Sequence, residues 1–190
     1  EQRAATIRDI LDKWERMANK TQELQNILTS ESALASYQSA QQIAQDIQAK
    51  KEDEYANANI TITADHDLES QIPSDLEKAI SELVENAITA IDTEHPSVQI
   101  SVSQPDERWA EICVSDTGPG LPEMEKNLLE TGEETPLSHG QGLGLWMVRA
   151  LVTRAGGSIS VDTSGDGSEI RLEVPTQPAQ EDSQKPGIVS

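Results

Sequence analysis

Phenylalanine is missing from this 190-residue chain, and tryptophan and tyrosine number only three and two. A core must therefore be assembled from Ile, Val, Leu and Ala. Cysteine occurs once, at Cys113, which excludes an intramolecular disulfide and fits a reducing interior. No apolar run approaches the roughly eighteen residues of a membrane-spanning helix. No N-terminal stretch combines a charged start, an apolar middle and a small-residue cleavage site. Basic residues are scarce: 14 Lys and Arg stand against 34 Asp and Glu, for a net charge of −20. Such a chain repels nucleic acid and anionic membrane surfaces, so neither is expected as a partner. The excess acid serves simple solubility or, more sharply, life in concentrated salt, where acidic surfaces are screened.

What remains suits a folded domain, with 35% hydrophobic and 25% charged residues. The length fits one domain with a helical attachment. The chain opens at Glu1 rather than Met, so a longer parent protein is expected. Residues 4–29 contain no Pro or Gly, and Ile7, Ile10, Trp14, Met17, Thr21, Leu24 and Leu28 recur at alternating three- and four-residue steps. That is a heptad seam, read either as a helix packed within one chain or as one helix of a dimer bundle. A second helix is expected over 36–54, with Ala40, Ile43, Ala44 and Ile47 on one side. Strands are expected at "ANITITA", possibly "HDLESQI", "SVQISVS" and "RWAEICVS", the last two joined by a Pro-Asp turn. Pro73 suits a helix start, and residues 74–92 have helical period. A weak helix, "EMEKNLLE", lies in the loop 121–139. Residues 142–155 read as a helix ended by Gly156-Gly157, and "SISVDTSGDGSEIRLEVP" reads as a hairpin. The tail, 176–190, is Pro-, Gln- and Ser-rich and expected to be disordered. The reading is an α+β domain over 34–175, with helices on one face of a mixed or antiparallel sheet, preceded by a helix within 1–30.

Three stretches carry chemistry. In "DLEKAISELVENAITAID", Glu82 and Asn86 fall one turn apart along an edge of the apolar stripe, flanked by Ala79 and Ala90. Their hard oxygens suit a partly hydrated magnesium ion shared with phosphates. The plain alternative is a solvated border pair. In "DTGPGLP", Asp116 presents an acceptor-only carboxylate at a strand exit, able to read an exocyclic amine. Gly118 and Gly120 would let backbone approach a flat ligand. The plain alternative is an Asx-type turn. In "HGQGLGLWMV", Gly140, Gly142 and Gly144 open a helix whose free N–H groups suit a polyphosphate. No Gly-Lys-Ser/Thr follows, so this is not a P-loop.

Taken in order over residues 60–175, these stretches resemble the catalytic, ATP-binding domain of sensor histidine kinases. Those kinases sit in the wider superfamily of gyrase, heat-shock chaperone and mismatch-repair ATPases. "ELVENAITA" resembles the family's N box, and "DTGPGLP" and "HGQGLGLWMV" its two glycine boxes. "GEETPLSHGQGLGLW" resembles kinases of halophilic archaea, in keeping with the charge. The resemblance implies a two-layer α/β sandwich with ATP and Mg²⁺ as cofactors. It implies that Glu82 and Asn86 organise Mg²⁺ and that Asp116 bonds the adenine amino group. Gly118, Gly120 and Leu121 would lie close to the nucleotide. Gly140, Gly142, Leu143 and Gly144 would hold phosphates under a lid over 121–141, and Ser168 would stand near adenine. Residues 3–29 would be the second helix of a dimerisation hairpin, making a homodimer. The intact protein would phosphorylate an upstream histidine and then a response regulator receiver domain, in the cytoplasm.

The chain departs from the family pattern in several places. Leu128-Leu129 stand where a phenylalanine-containing box is expected. Thr89 replaces a common basic residue after the N box. Lys126 is the one lysine or arginine of the lid, with His139 a further donor there. None of His66, His95 and His139 lies on the heptad helix, so the phosphoacceptor is expected upstream. These departures keep two alternatives in view: a degenerate nucleotide-binding dimeric scaffold, or an anti-sigma-type serine kinase or ATPase with Glu82 as base.

Overall fold

The computed structural model describes residues 14–15, 17–22, 24–27, 29, 36–64, 70–132 and 142–177. Among the described residues, seven strands and four helices follow the N-terminal helical segment: β1 (Tyr37–Ser39), α1 (Ala40–Glu54), β2 (Asn59–Ala64), β3 (Gln71–Pro73), α2 (Leu76–Ala90), β4 (Ser97–Asp106), β5 (Trp109–Asp116), α3 (Glu123–Thr131), α4 (Gly142–Arg154), β6 (Ser158–Ser164) and β7 (Gly167–Pro175). The principal sheet has the order β2-β4-β5-β7-β6; β2 and β4 run parallel, and every other neighbour pair is antiparallel. β1 and β3 form a separate two-stranded ribbon.

The strands alternate as a one-sided sheet must. Val98, Ile100 and Val102 of β4, Ile112 and Val114 of β5, and Ile170, Leu172 and Val174 of β7 are buried. Their in-between neighbours include Gln99, Ser101, Glu111, Glu169 and Arg171, none of them buried. The helices cover the buried face. Leu76, Ala79, Ile80, Leu83, Val84, Ala87 and Ile88 give α2 a wide apolar stripe at helical spacing. α2 packs on α4, and α4 packs on α3. This is the expected two-layer α+β sandwich, and aliphatic residues fill its core without a single Phe.

Local chemistry sets the ends of α1. Ser39 caps it, its Oγ accepting from the Gln42 amide. In its last turn Lys51 is buried, donating 2.8 Å hydrogen bonds to Glu54 and Glu85. The turn therefore ties α1 to α2. Burial of Lys51 disfavours its charge, but the two carboxylates outweigh that and hold its pKa above the usual lysine value.

Two boundaries differ from expectation. Pro73 ends strand β3 and pairs with Tyr37, so α2 starts only at Leu76 after the turn Ser74-Asp75. Pro105-Asp106 belongs to the end of β4 beyond a register shift, and Glu107-Arg108 makes the turn, with Asp106 Oδ1 accepting from the Arg108 amide. A proline tolerated at a strand end explains both. Of the possible strand "HDLESQI", residues 66–72, Gln71 and Ile72 belong to β3, while 66–69 lie outside the described residues, as does the tail beyond residue 177.

The N-terminal segment is helical at its described positions. Ile27 is buried and Leu24 packs against the core, whereas Trp14 and Met17 are exposed. The segment is tied down twice: Lys20 pairs with Glu82, and Arg154 donates to the Ile27 carbonyl while also pairing with Asp75.

Candidate nucleotide-binding site

A cavity of about 600 Å³ opens between α2, the loop after β5, α3, the start of α4 and strand β7. Its size is that of an ordinary small-molecule site. Asn86, Thr89 and Ala90 border it from α2, Asp116 from the end of β5, Gly120 and Leu121 from the following loop, Gly144 and Leu145 from α4, and Ser168 and Ile170 from β7. All three chemistry-bearing stretches thus meet in one cleft. Leu83, Ala87, Val114, Leu145 and Ile170 supply apolar walls, suited to a flat ring.

Antiparallel pairing of β5 with β7 sets Asp116 directly opposite Ser168. Ser168 is buried although polar. Asp116 makes the turn the sequence allowed and also borders the cavity. Its Oδ1 accepts from the Gly118 amide at 2.7 Å, an Asx-type turn, while its side chain stands at the cavity wall.

The two glycines beside it answer chiefly to the protein's own atoms. A Cβ on Gly118 would meet Asp116 Oδ1 at 2.8 Å and the Ile91 side chain at 3.2 Å. Gly120 has φ +84°, and a Cβ there would lie 2.1 Å from the Ser164 carbonyl. The loop thus crosses β6 at backbone contact, pinned by the Leu121 amide donating to Thr163 Oγ1 at 2.7 Å. Gly120 and Leu121 still border the cavity, but among the described candidates Glu82, Gly118 and Leu143 do not.

Gly144 is different. A Cβ there would lie 2.4 Å from Glu82 Oε2 and 3.8 Å from Asn86 Nδ2, so α2 and α4 bring these groups together at one end of the cleft. Glu82 is largely buried there, with a side-chain exposure of 12%. Glu82 and Asn86 offer a two-residue set of hard oxygens. Among the described residues no group of three or more His, Cys, Asp or Glu is placed to hold a metal. The set therefore fits an ion that takes its other ligands from phosphates and water, as Mg²⁺ does. Gly140, His139 and the rest of 133–141 lie outside the described residues; Gly142 opens α4.

Two features of the cleft were not legible from motifs: its N-terminal border and Glu125. Met17 and Lys20 reach it from the N-terminal segment, and Lys20 Nζ sits 2.7 Å from Glu82 Oε2. Glu125 on α3 borders it, and burial raises its carboxyl pKa. Thr89 spends its hydroxyl on the Glu85 and Asn86 carbonyls, so nothing cationic stands there. Leu128 and Leu129 are buried beneath α3, filling the place expected for an aromatic box.

A family model described as histidine kinase-, DNA gyrase B- and HSP90-like ATPase matches residues 71–178. The adaptive-response sensory kinase SasA of Prochlorococcus marinus is 32% identical over 122 residues, covering 60% of this chain and 31% of that protein. The chain therefore spans about a third of that relative's length. Among solved structures, full-length ShkA in complex with AMPPNP aligns with a TM-score of 0.76 at 19% identity, covering 94% of this chain and 39% of that one. A mycobacterial sensor histidine kinase, MprB, aligns at a TM-score of 0.60 and 22% identity, covering 75% of this chain and 99% of that one. At these identities the structural matches speak for the fold.

Proposed function

Because the chain belongs to the family of histidine kinase-, DNA gyrase B- and HSP90-like ATPases, we propose that it is the ATP-binding catalytic part of a two-component sensor histidine kinase. The intact protein transfers the γ-phosphoryl of ATP to a histidine upstream of this chain, and from there to the aspartate of a response regulator receiver domain. One observation carries the reading: Asn86, Asp116 and Gly144, from three separate stretches, border a single cleft.

In this reading Asp116 accepts from the adenine amino group, with Ser168 beside it and Leu145 and Ile170 against the ring. Gly120 and Leu121 pass along the nucleotide. The amides at the start of α4, at Gly142, Leu143 and Gly144, face the phosphates, and Gly140, outside the described residues, is assigned the same task. Glu82 and Asn86 hold Mg²⁺, which neutralises phosphate charge when bound. The chain's own task is positioning: it orients the triphosphate, and the apolar walls exclude water. Residues 3–29 are assigned to half of a dimerisation hairpin, and Trp14, exposed on that segment, suits a second copy. No described helix is long and apolar enough to cross a membrane. We place the domain in the cytoplasm, in a protein that could be anchored elsewhere along its length. The charge of −20 suits a salt-rich interior.

Calorimetric titration with ATP, with and without Mg²⁺ and at low and high salt, tests the binding half. Saturable binding is expected, and its absence in every condition ends the reading. Joining the chain to its native upstream helix and supplying γ-labelled ATP tests the transfer half. Acid-labile label on a histidine is expected; binding without label would favour the degenerate scaffold instead.

A further inference from the structure

The cleft is strongly acidic for a site meant to take a polyphosphate. Glu85, Asp116 and Glu125 border it, and Glu82 stands behind Lys20, 2.7 Å from its Nζ. Glu85 is answered at 2.8 Å by the buried Lys51 of α1, which is engaged by Glu54 as well. The position after Asn86 that could carry a cation holds Thr89, with its hydroxyl turned to backbone carbonyls. Among the described residues bordering the cleft, Lys20 is the single cation.

Lys20 belongs to the N-terminal helical segment, 62 residues from its partner in sequence. Its Nζ lies 2.7 Å from Glu82 Oε2, and that oxygen is the one against which a Cβ at Gly144 would collide. Lys20 therefore stands beside the Glu82–Asn86–Gly144 grouping, where the phosphates lie in the proposed nucleotide reading. An ammonium has three donors. Glu82 takes one, and the side chain keeps 30% exposure, so donors remain for an incoming anion.

We infer that Lys20 is a ligand-contacting cation that selects the triphosphate, delivered to the ATP-binding domain by the N-terminal helix. It holds Glu82 with one N–H and donates the others to the terminal phosphates. It thereby offsets the carboxylates that would otherwise repel them. High affinity for triphosphate over monophosphate then depends on that helix being seated, which links its position to nucleotide occupancy. The inference rests on the nucleotide reading of the cleft and adds to it a residue outside the ATP-binding domain.

The test measures the affinities of ATP and AMP for the whole 190-residue chain, as wild type, Lys20→Met and Lys20→Arg, with melting curves as a folding control. Losing a charge-assisted hydrogen bond should weaken ATP about tenfold or more in Lys20→Met. AMP should stay within about twofold, and Lys20→Arg should restore most of the ATP affinity. Unchanged or tighter ATP binding in Lys20→Met overturns the inference, making the pair a surface contact or a latch that nucleotide must break. Equal weakening of ATP and AMP also overturns it, since a general loosening of the cleft would not discriminate phosphate number. A wild type that binds neither nucleotide removes the nucleotide reading itself, a result distinct from the other two.

Discussion

Gly120 and Gly144 both sit in glycine-rich stretches and both border the cleft, yet replacing each by alanine should have opposite consequences. At Gly120 the backbone has φ +84°, and the added Cβ would fall 2.1 Å from the Ser164 carbonyl, a backbone atom that cannot turn aside. The left-handed backbone alone costs about 1–2 kcal/mol for alanine. Pushing the loop off β6 also breaks the hydrogen bond from the Leu121 amide to Thr163, worth about 1 kcal/mol. A loss of roughly 3 kcal/mol is expected for Gly120→Ala, moving a urea midpoint by on the order of 1–2 M. At Gly144 the obstacle is Glu82 Oε2 at 2.4 Å, the free end of a flexible side chain. Glu82 can swing away, losing a partly exposed ion pair worth about 0–1 kcal/mol, while alanine in a helix gains about 0.5–1 kcal/mol over glycine. Gly144→Ala should therefore keep wild-type stability within about 1 kcal/mol. Its ATP affinity should fall on the order of tenfold, because the displaced carboxylate disturbs Lys20 and Asn86. Urea unfolding and ATP calorimetry on both variants make the comparison. A Gly120→Ala protein with native stability but no ATP binding would show that this glycine serves the ligand rather than the chain crossing, and would refute the packing argument.

Asp116→Asn keeps an oxygen for the Gly118 amide but loses the carboxylate. It should unfold like wild type while binding ATP about tenfold or more weakly. In metal-free buffer it should bind more weakly than Asn86→Ala, and the reverse order by calorimetry would overturn the assigned roles. Glu125 has its pKa raised by burial, so it contributes stability at pH below its ordinary 4.5 that is lost as pH rises through the raised value. Glu125→Gln should therefore stabilise the fold at pH 7 but not at pH 4, and chemical denaturation at the two pH values reads the difference. Lys51 has its pKa raised above 10.5. Its contribution is complete below that value and lost as pH climbs through the folded-state pKa. Wild type should lose more stability than Lys51→Met between pH 9 and pH 11.5 in the same denaturation assay, and parallel losses would count against the buried ion pairs.

Local pattern carried much of the fold. The apolar spacing in "LEKAISELVENAITA" marks α2 and its buried stripe, and the alternation in "NITITA" and "WAEICVSD" marks β2 and β5. Aliphatic side chains close-pack well enough that the absence of Phe left the core intact. Boundaries near prolines were less legible, because Pro73 and Pro105 are tolerated at strand ends and at helix or turn starts alike. Strand β1 was hidden as well, since three residues are too few to show a period, and "HDLESQI" pointed to β3 only in part.

The sequence by itself determined which residue types the cleft has to work with: Glu82 and Asn86 one turn apart, Asp116 at a strand exit, glycines at the head of α4. Those are near-neighbour relations, set by helical and strand periodicity and readable from spacing alone. Tertiary structure decided everything that depends on distant segments meeting. The register of β5 on β7 put Ser168 across from Asp116. The crossing of the loop over β6 gave Gly120 a packing duty. The seating of the N-terminal helix brought Lys20 onto Glu82. No local pattern encodes these pairings, because their energy comes from contacts between residues tens of positions apart, formed only once the sheet and helices close on a common core.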